Sequence, residues 1–154
     1  MRIDIRTAIY PDVEKLALVK VLAKHMDEAN SVSLDFEHAY INELLDERCT
    51  VFVLLCDREP VAFCAVRDCS RKPYSGYAVI SDLYVHPEYQ RKGNGRKLLS
   101  HTLRKLRADG YLNAMLETTD DNVSARRFYE RFGFTAREFR AQGCSTYVVY
   151  TIDF

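Results

Sequence analysis

Residues 76–108 read as a strand, a turn and a helix with almost nothing to spare between them. Gly76-Tyr-Ala-Val-Ile-Ser-Asp-Leu-Tyr-Val-His86 is rich in β-branched and aromatic residues and runs into Pro87, which lacks the N–H a ladder needs. From Gly95 to about Ala108, Leu98, Leu99, Thr102, Leu103 and Leu106 recur at helical spacing. Arg96, Lys97, Arg104, Lys105 and Arg107 lie elsewhere around that helix. A strand that feeds a helix so directly points to an α/β layer in which the helix covers the sheet.

The rest of the chain fits that layer. Arg2 to Thr7 alternates with period 2, and Ile3 and Ile5 share a face. Pro11 stands at a favoured first helical position, followed by Val13, Leu16, Ala17, Val19 and Leu22. A second helix is expected from Asp35 to about Arg48, carried by Phe36, Tyr40, Ile41, Leu44 and Leu45. Thr50–Cys56 and Val61–Val66 read as a hairpin around Asp57-Arg-Glu-Pro60. Leu112–Thr118 is a strand, and Asn122–Phe132 a helix closed by Gly133. Phe134–Phe139 and Cys144–Phe154 are strands around the turn 141–143. The order β-α-α-β-β-β-α-β-α-β-β describes a single domain over residues 1–154, with a mixed, mostly antiparallel central sheet flanked by helices.

The linking stretch 90-QRKGNGRKLL-99 is where chemistry is expected. A helix N-terminus leaves backbone N–H groups without intrahelical acceptors and carries partial positive charge, so it suits phosphate. Gly93 and Gly95 allow positive φ and close backbone approach, while Arg91, Lys92, Arg96 and Lys97 add charge. Taken alone, G-x-G fits a solvated basic turn equally well, and neither a Walker loop nor the G-x-G-x-x-G fingerprint is present. Lys plus Arg and Asp plus Glu both number 22, so no whole-chain field attracts anions and any anion site is local.

Other classes find little support. No apolar run approaches the roughly 18 residues of a membrane span, and MRIDIRTAIYPD is charged and alternating, unlike a signal peptide. The five cysteines form no C-x-x-C pair, which argues against zinc and for reduced thiols in a cytoplasmic protein. Cys56 and Cys64 lie on strands expected to pair, so an accidental bridge is open to them.

Leu83-Tyr-Val-His-Pro-Glu-Tyr-Gln-Arg-Lys-Gly-Asn-Gly-Arg-Lys-Leu-Leu99 resembles the signature of the GNAT superfamily of N-acetyltransferases, a strand ending near proline, then [Q/R]-x-x-G-x-[G/A], then a leucine-rich helix. Gln90, Gly93 and Gly95 fill the defining positions, and the resemblance counts Gln90 among the cofactor-binding residues. Downstream, Asn122-Val-Ser-Ala-Arg-Arg-Phe-Tyr-Glu-Arg-Phe-Gly-Phe134 is similar to the family's N-x-x-A-x-x-[F/L]-Y-x-x-x-G-F segment. The resemblance implies direct transfer from acetyl-CoA to an amine, without a metal. It places the pyrophosphate on the backbone of Arg91, Lys92, Gly93, Asn94, Gly95 and Arg96, and the pantetheine arm along Leu83, Tyr84 and Val85. By the same resemblance Tyr129 is the acid toward the leaving thiolate, Asp82 the candidate base, and Asn122 either a cofactor contact or a helix cap. Glu117 is a third carboxylate on the next strand.

The acceptor is left open: a small-molecule or peptide amine, met by a monomer or homodimer. The acidic residues Asp27, Glu28, Asp35, Glu43, Asp46 and Glu47, and the link 68–75 with Arg71, Lys72 and Tyr74, are candidate borders of its site. The basic positions Arg96 to Arg107 are better explained by helix surface and cofactor phosphate than by nucleic acid. A non-catalytic acetyl-CoA sensor is the rival reading; it would keep Gln90–Arg96 but have no need of Tyr129.

Overall fold

The computed structural model describes residues 1–8, 46 and 48–154. Both helices expected between Pro11 and Arg48, and the acidic positions there apart from Asp46, lie outside the described residues. Asp46 and Arg48 form a turn, with the Arg48 guanidinium bonded to the Asp46 carboxylate at 3.0 Å.

Seven strands follow: β1 (Ile3–Ala8), β2 (Thr50–Cys56), β3 (Glu59–Asp68), β4 (Ala78–Val85), β5 (Asn113–Thr119), β6 (Thr135–Gln142) and β7 (Ser145–Asp153). They form one sheet in the order β1-β2-β3-β4-β5-β7-β6. The helices described are α1 (Asn94–Ala108) and α2 (Val123–Phe132), and a single 3-10 turn covers Pro87–Tyr89. Only the β4–β5 ladder among the registers described is parallel, so the sheet is mixed and mostly antiparallel, as the element order suggests. The described residues cluster into two compact units, Met1–Arg67 with Asp82–Lys105, and Asp68–Ser81 with Leu106–Phe154.

In the first unit, β2 and β3 are buried on both faces from Val51 to Cys56 and from Val61 to Val66. Their sequences are continuous apolar runs rather than alternations, the pattern of strands covered on both sides. The β2–β3 turn needs only Asp57 and Arg58, which take φ of 48° and 71°, the mirror-image geometry that matches strand twist. α1 lies against these strands: Leu98 and Leu99 are 0% exposed, and the His101 ring meets Phe52 edge-on at 5.7 Å. Each of those leucines contributes about 1.5–3 kcal/mol by leaving water. Thr102, also fully buried on this face, satisfies its hydroxyl by donating to Leu98 O at 2.9 Å.

In the second unit, β5 and β7 carry the core through Ala114–Leu116 and Val148–Tyr150, while β6 is an almost wholly exposed edge. β6 runs to Gln142, so its turn falls at Gly143–Cys144, later than the sequence spacing suggests. The β4–β5 ladder holds two pairs, Ala78↔Ala114 and Val79↔Met115, although both strands continue beyond it.

The strands carrying Cys56 and Cys64 do pair, but Cys56 stands opposite Glu59 and Cys64 opposite Phe52. The accidental bridge is therefore corrected: register keeps these cysteines apart. Burial pushes the Cys64 thiol up to about 12, opposed by its side-chain hydrogen-bond contact with Thr102 and reinforced by the Asp82 carboxylate. Since the thiolate is the nucleophile, Cys64 should resist iodoacetamide at pH 8 in the native protein, while the exposed Cys144 is alkylated first. Peptide mapping after a short pulse checks this; early label on Cys64 would contradict the packing.

Candidate functional site

The candidate anion site of the first unit is assembled from the end of β4 to the first turn of α1. Burial along β4 alternates from Ala78 to Ser81, then gives way to four half-buried residues, Asp82–Val85. The Tyr84 ring packs against Phe63 at 6.0 Å. His86 N donates to Val61 O at 2.8 Å, which fastens the strand end to β3. His86 is extended (φ −53°, ψ 136°), as the residue before proline must be, and its Nδ1 accepts from Glu88 N at 3.2 Å. Pro87 then starts the 3-10 turn that reverses the chain.

Two side-chain amides lock the turn to the strand. Gln90 Nε2 donates to Val85 O at 2.8 Å, and Asn94 Nδ2 donates to Tyr89 O at 2.9 Å. Asn94 is 4% exposed, so its bond is made where water does not compete, and the loop from Tyr89 to Asn94 is braced across its base. Gln90 and Asn94, expected among the cofactor-binding residues, also hold the loop's shape through their side chains. Between them Arg91 takes φ 59° and Gly93 φ 81°. Gly93 is where glycine is needed; Gly95 lies within α1. A β-carbon at Gly93 would meet nothing within 4 Å, which leaves the backbone open to a ligand.

The first intrahelical bond of α1 runs from Lys97 N to Gly93 O at 3.0 Å, so the N–H groups of Asn94 and Gly95 precede the helical ladder. Gly93, in the capping position, has no side chain to accept from them, and the first turn holds no acidic residue. α2 is built the opposite way: Asn122 Oδ1 accepts from Ala125 N at 3.2 Å and closes that helix's own N-terminus. The α1 terminus is ringed by the exposed Arg91, Lys92, Arg96 and Lys97, a positive setting of the kind that suits an anion. Lys92 Nζ lies 5.8 Å from the Tyr89 ring centre, a cation–π contact that keeps its charge beside the loop.

The second unit holds Tyr129, Asn122 and Glu117. Tyr129 packs among Phe128, Phe134 and Tyr150, with ring centres 5.4, 5.8 and 6.3 Å away. Below it the buried Tyr150 hydroxyl accepts from Arg126 Nε and donates to Glu130 Oε1, both at 3.0 Å, which fixes α2 on β7. Gly133, at φ 101°, ends α2 where the sequence calls for it. Asn122 takes the capping role of its two expected ones, through its carbonyl oxygen.

Glu117 has surroundings that sequence reading missed. Arg71, from the link before β4, reaches its Oε1 at 2.7 Å, and Arg140 of β6 pairs with the same oxygen. Arg71 had drawn notice as a possible border, whereas Arg140 had not; strand register is the signal that joins them, through Glu117↔Val149 and Arg140↔Tyr147. Nearby, burial and the Glu138 carboxylate raise the Tyr74 phenol above its usual range, against Arg137 and Arg140. Among the described residues, no group of three or more His, Cys, Asp or Glu could hold a metal ion, and no helix is long and apolar enough to cross a membrane.

Against known proteins, the model of the acetyltransferase (GNAT) family matches residues 16–134. Streptothricin acetyltransferase A of Bacillus subtilis is 38% identical over 64 residues, 42% of this chain and 37% of that protein. Ribosomal protein bS18-alanine N-acetyltransferase of Escherichia coli is 36% identical over 63 residues, 41% of this chain and 43% of that protein. The matched stretch therefore spans less than half the length of either relative. The fold is also that of PaiA N-acetyltransferase from Thermoplasma acidophilum, solved with coenzyme A: TM-score 0.73 at 19% identity, covering 100% of both chains.

If the braces set the loop, Asn94→Ala should leave the Tyr89 carbonyl without its donor and cost about 1–3 kcal/mol. Asn122→Ala, which removes only an exposed cap, should cost about 1 kcal/mol. Urea melts of the two variants give the comparison; an Asn94→Ala loss no larger than that of a surface substitution would show that the brace does not hold the turn.

Proposed function

Since the chain belongs to the GNAT acetyltransferase family, we propose that it moves an acetyl group from acetyl-CoA to a primary amine, residues 1–154 acting as one domain. The observation that carries the reading is the N-terminus of α1, with a glycine in the capping position, no acidic residue in its first turn and a preceding loop braced by Gln90 and Asn94. The fit is chemical: a pyrophosphate needs several N–H donors and positive charge in one small space, and residues 91–96 supply both.

In this reading acetyl-CoA brings the acyl group as a thioester. The backbone of Arg91–Arg96 holds the pyrophosphate, and the cations of Arg91, Lys92 and Arg96 balance its charge. Leu83, Tyr84 and Val85 align the pantetheine arm, and an N–H of that segment faces the carbonyl oxygen where negative charge develops. Asn122, its oxygen spent on the cap, offers its amide nitrogen to the cofactor. The amine must be neutral to attack; Asp82 takes its proton, directly or through water. A C–N bond forms, the C–S bond breaks, and Tyr129 gives its phenolic proton to the departing thiolate; with ordinary values of about 10 for the phenol and about 8.5 for the thiol, this requires surroundings that lower the phenol. The names of the relatives give streptothricin and the alanine of ribosomal protein bS18, a small molecule and a protein, and both stay within the acceptor class proposed.

Thermal melts with acetyl-CoA, ATP, NAD and inorganic phosphate test the donor. Acetyl-CoA at a hundred times its Kd should stabilise by about 2.7 kcal/mol, and equal shifts with ATP or NAD would defeat the assignment. Thiol release over a panel of amines then separates enzyme from sensor: binding with no acceptor-dependent release from any amine favours the sensor.

Tyr129→Phe should lower kcat about tenfold or more, near 1.4 kcal/mol of barrier, while acetyl-CoA affinity is kept. An unchanged kcat removes Tyr129 from the chemistry. Asp82→Asn should flatten the acid limb of the pH–rate profile, and a profile of unaltered shape would dismiss Asp82 as the base.

A further inference from the structure

The link after β3, strand β5 and strand β6 bring Arg71, Glu117 and Arg140 together in the second unit. One guanidinium neutralises one carboxylate; here two are spent on a single oxygen. With the neighbouring Arg137 and Glu138 counted, three guanidiniums stand against two carboxylates among the described residues, a local surplus of positive charge in a chain of zero net charge. The trio is partly open to water, with side chains 57% (Arg71), 27% (Glu117) and 31% (Arg140) exposed. Ion pairs so exposed stabilise a fold little, so stability does not account for a third charged member drawn from a separate strand.

The donor inventory points to a ligand. A guanidinium has five N–H groups in a planar fork, and Arg71 and Arg140 each commit one nitrogen to Glu117 Oε1. Among the described residues, both recorded partners of Glu117 meet that one oxygen, and Oε2 is recorded with none. Two forks suited to a carboxylate thus flank an acceptor suited to an amine. Beside them, on the face that holds Met115 and Val149, lie the Tyr74 and Tyr77 rings, 5.5 Å apart.

We propose that Arg71, Glu117 and Arg140 form the recognition site for the acceptor and that this acceptor is a free α-amino acid. Its carboxylate lies on the two guanidiniums, and its amine donates to Glu117 Oε2. This deepens the acetyl-transfer reading and rests on it: the amine held at Glu117 is the one acetylated. An amine without a carboxylate at that spacing leaves the surplus charge unpaired, which is how a site rejects an analogue that lacks one polar group.

The test compares each of the twenty L-amino acids with its own α-carboxamide, which keeps the amine and side chain and removes the charge. Acetyl-CoA thiol release is the readout. At least one free acid should exceed its amide in kcat/KM by about tenfold or more, the scale of a lost charge-assisted hydrogen bond. Arg71→Met and Arg140→Met should erase that preference while acetyl-CoA affinity stays the same. Amides acetylated as well as acids, a preference that survives both substitutions, or acetylation confined to peptide N-termini would each overturn the proposal and leave the transferase reading standing. If no amine releases thiol, thermal shifts with the free amino acids decide separately. Stabilisation by wild type that both variants lose would keep the site and discard the chemistry; no stabilisation would discard both.

Discussion

Two side-chain amides, Gln90 to the Val85 carbonyl and Asn94 to the Tyr89 carbonyl, hold a helix start in a form its own sequence does not close. A helix N-terminus normally recruits a Ser, Thr, Asp or Asn cap. α1 has Gly93 there, so the capping position offers its leading N–H groups no side-chain acceptor. An open terminus of that kind would fray if the preceding turn were loose. The buried amide of Asn94 and the 3-10 turn at Pro87–Tyr89 fix that turn. The core below, Leu98 and Leu99 against β2 and β3, then anchors the helix itself. In the proposed function, anion recognition at this loop thus depends on hydrogen bonds that touch no anion.

Much of this was legible in the sequence, for reasons that differ from element to element. β2 and β3 were plain because strands buried on both faces need unbroken apolar runs, and TVFVLLC and VAFCAV are such runs. α2 was plain because its cap residue, apolar stripe and terminal glycine agree with one another. The conformations inside the loop were not. Positive φ was expected at both glycines, yet Arg91 takes it with Gly93 while Gly95 is helical. An arginine in the left-handed region costs on the order of 1–2 kcal/mol, which propensity argues against and only the surrounding braces can offset.

What sequence could not show is pairing across distance. Cys56 and Cys64 sit on neighbouring strands, and only the register separates them, Cys64 facing Phe52. The converse case is Glu117. Arg71 is 46 residues before it and Arg140 is 23 after it, and no periodicity links the three. Glu117 and Arg140 meet because β7 pairs with β5 on one side and β6 on the other, so residues opposite Val149 and Tyr147 come to one region of the unit, where Arg71 of the link after β3 reaches the same carboxylate. A residue slip in either ladder would send one of them to the opposite face, so the cluster depends on register as strictly as the core does.

The zero net charge of the chain sets how the two proposed sites would work. With 22 basic and 22 acidic side chains there is no long-range field to gather anionic ligands, and at physiological salt charges more than about 8 Å apart are largely screened. Selection must therefore come from short-range geometry. At the α1 terminus the donors are backbone N–H groups, whose directions are fixed by the helix and need no ordering when a phosphate arrives. At Arg71, Glu117 and Arg140 the ion pairs already hold the long side chains in place, so part of their entropy is lost before any ligand arrives. Each site is ordered in advance by contacts within its own unit, and a locally surplus charge in such a setting discriminates by shape and hydrogen bonding rather than by attraction from afar.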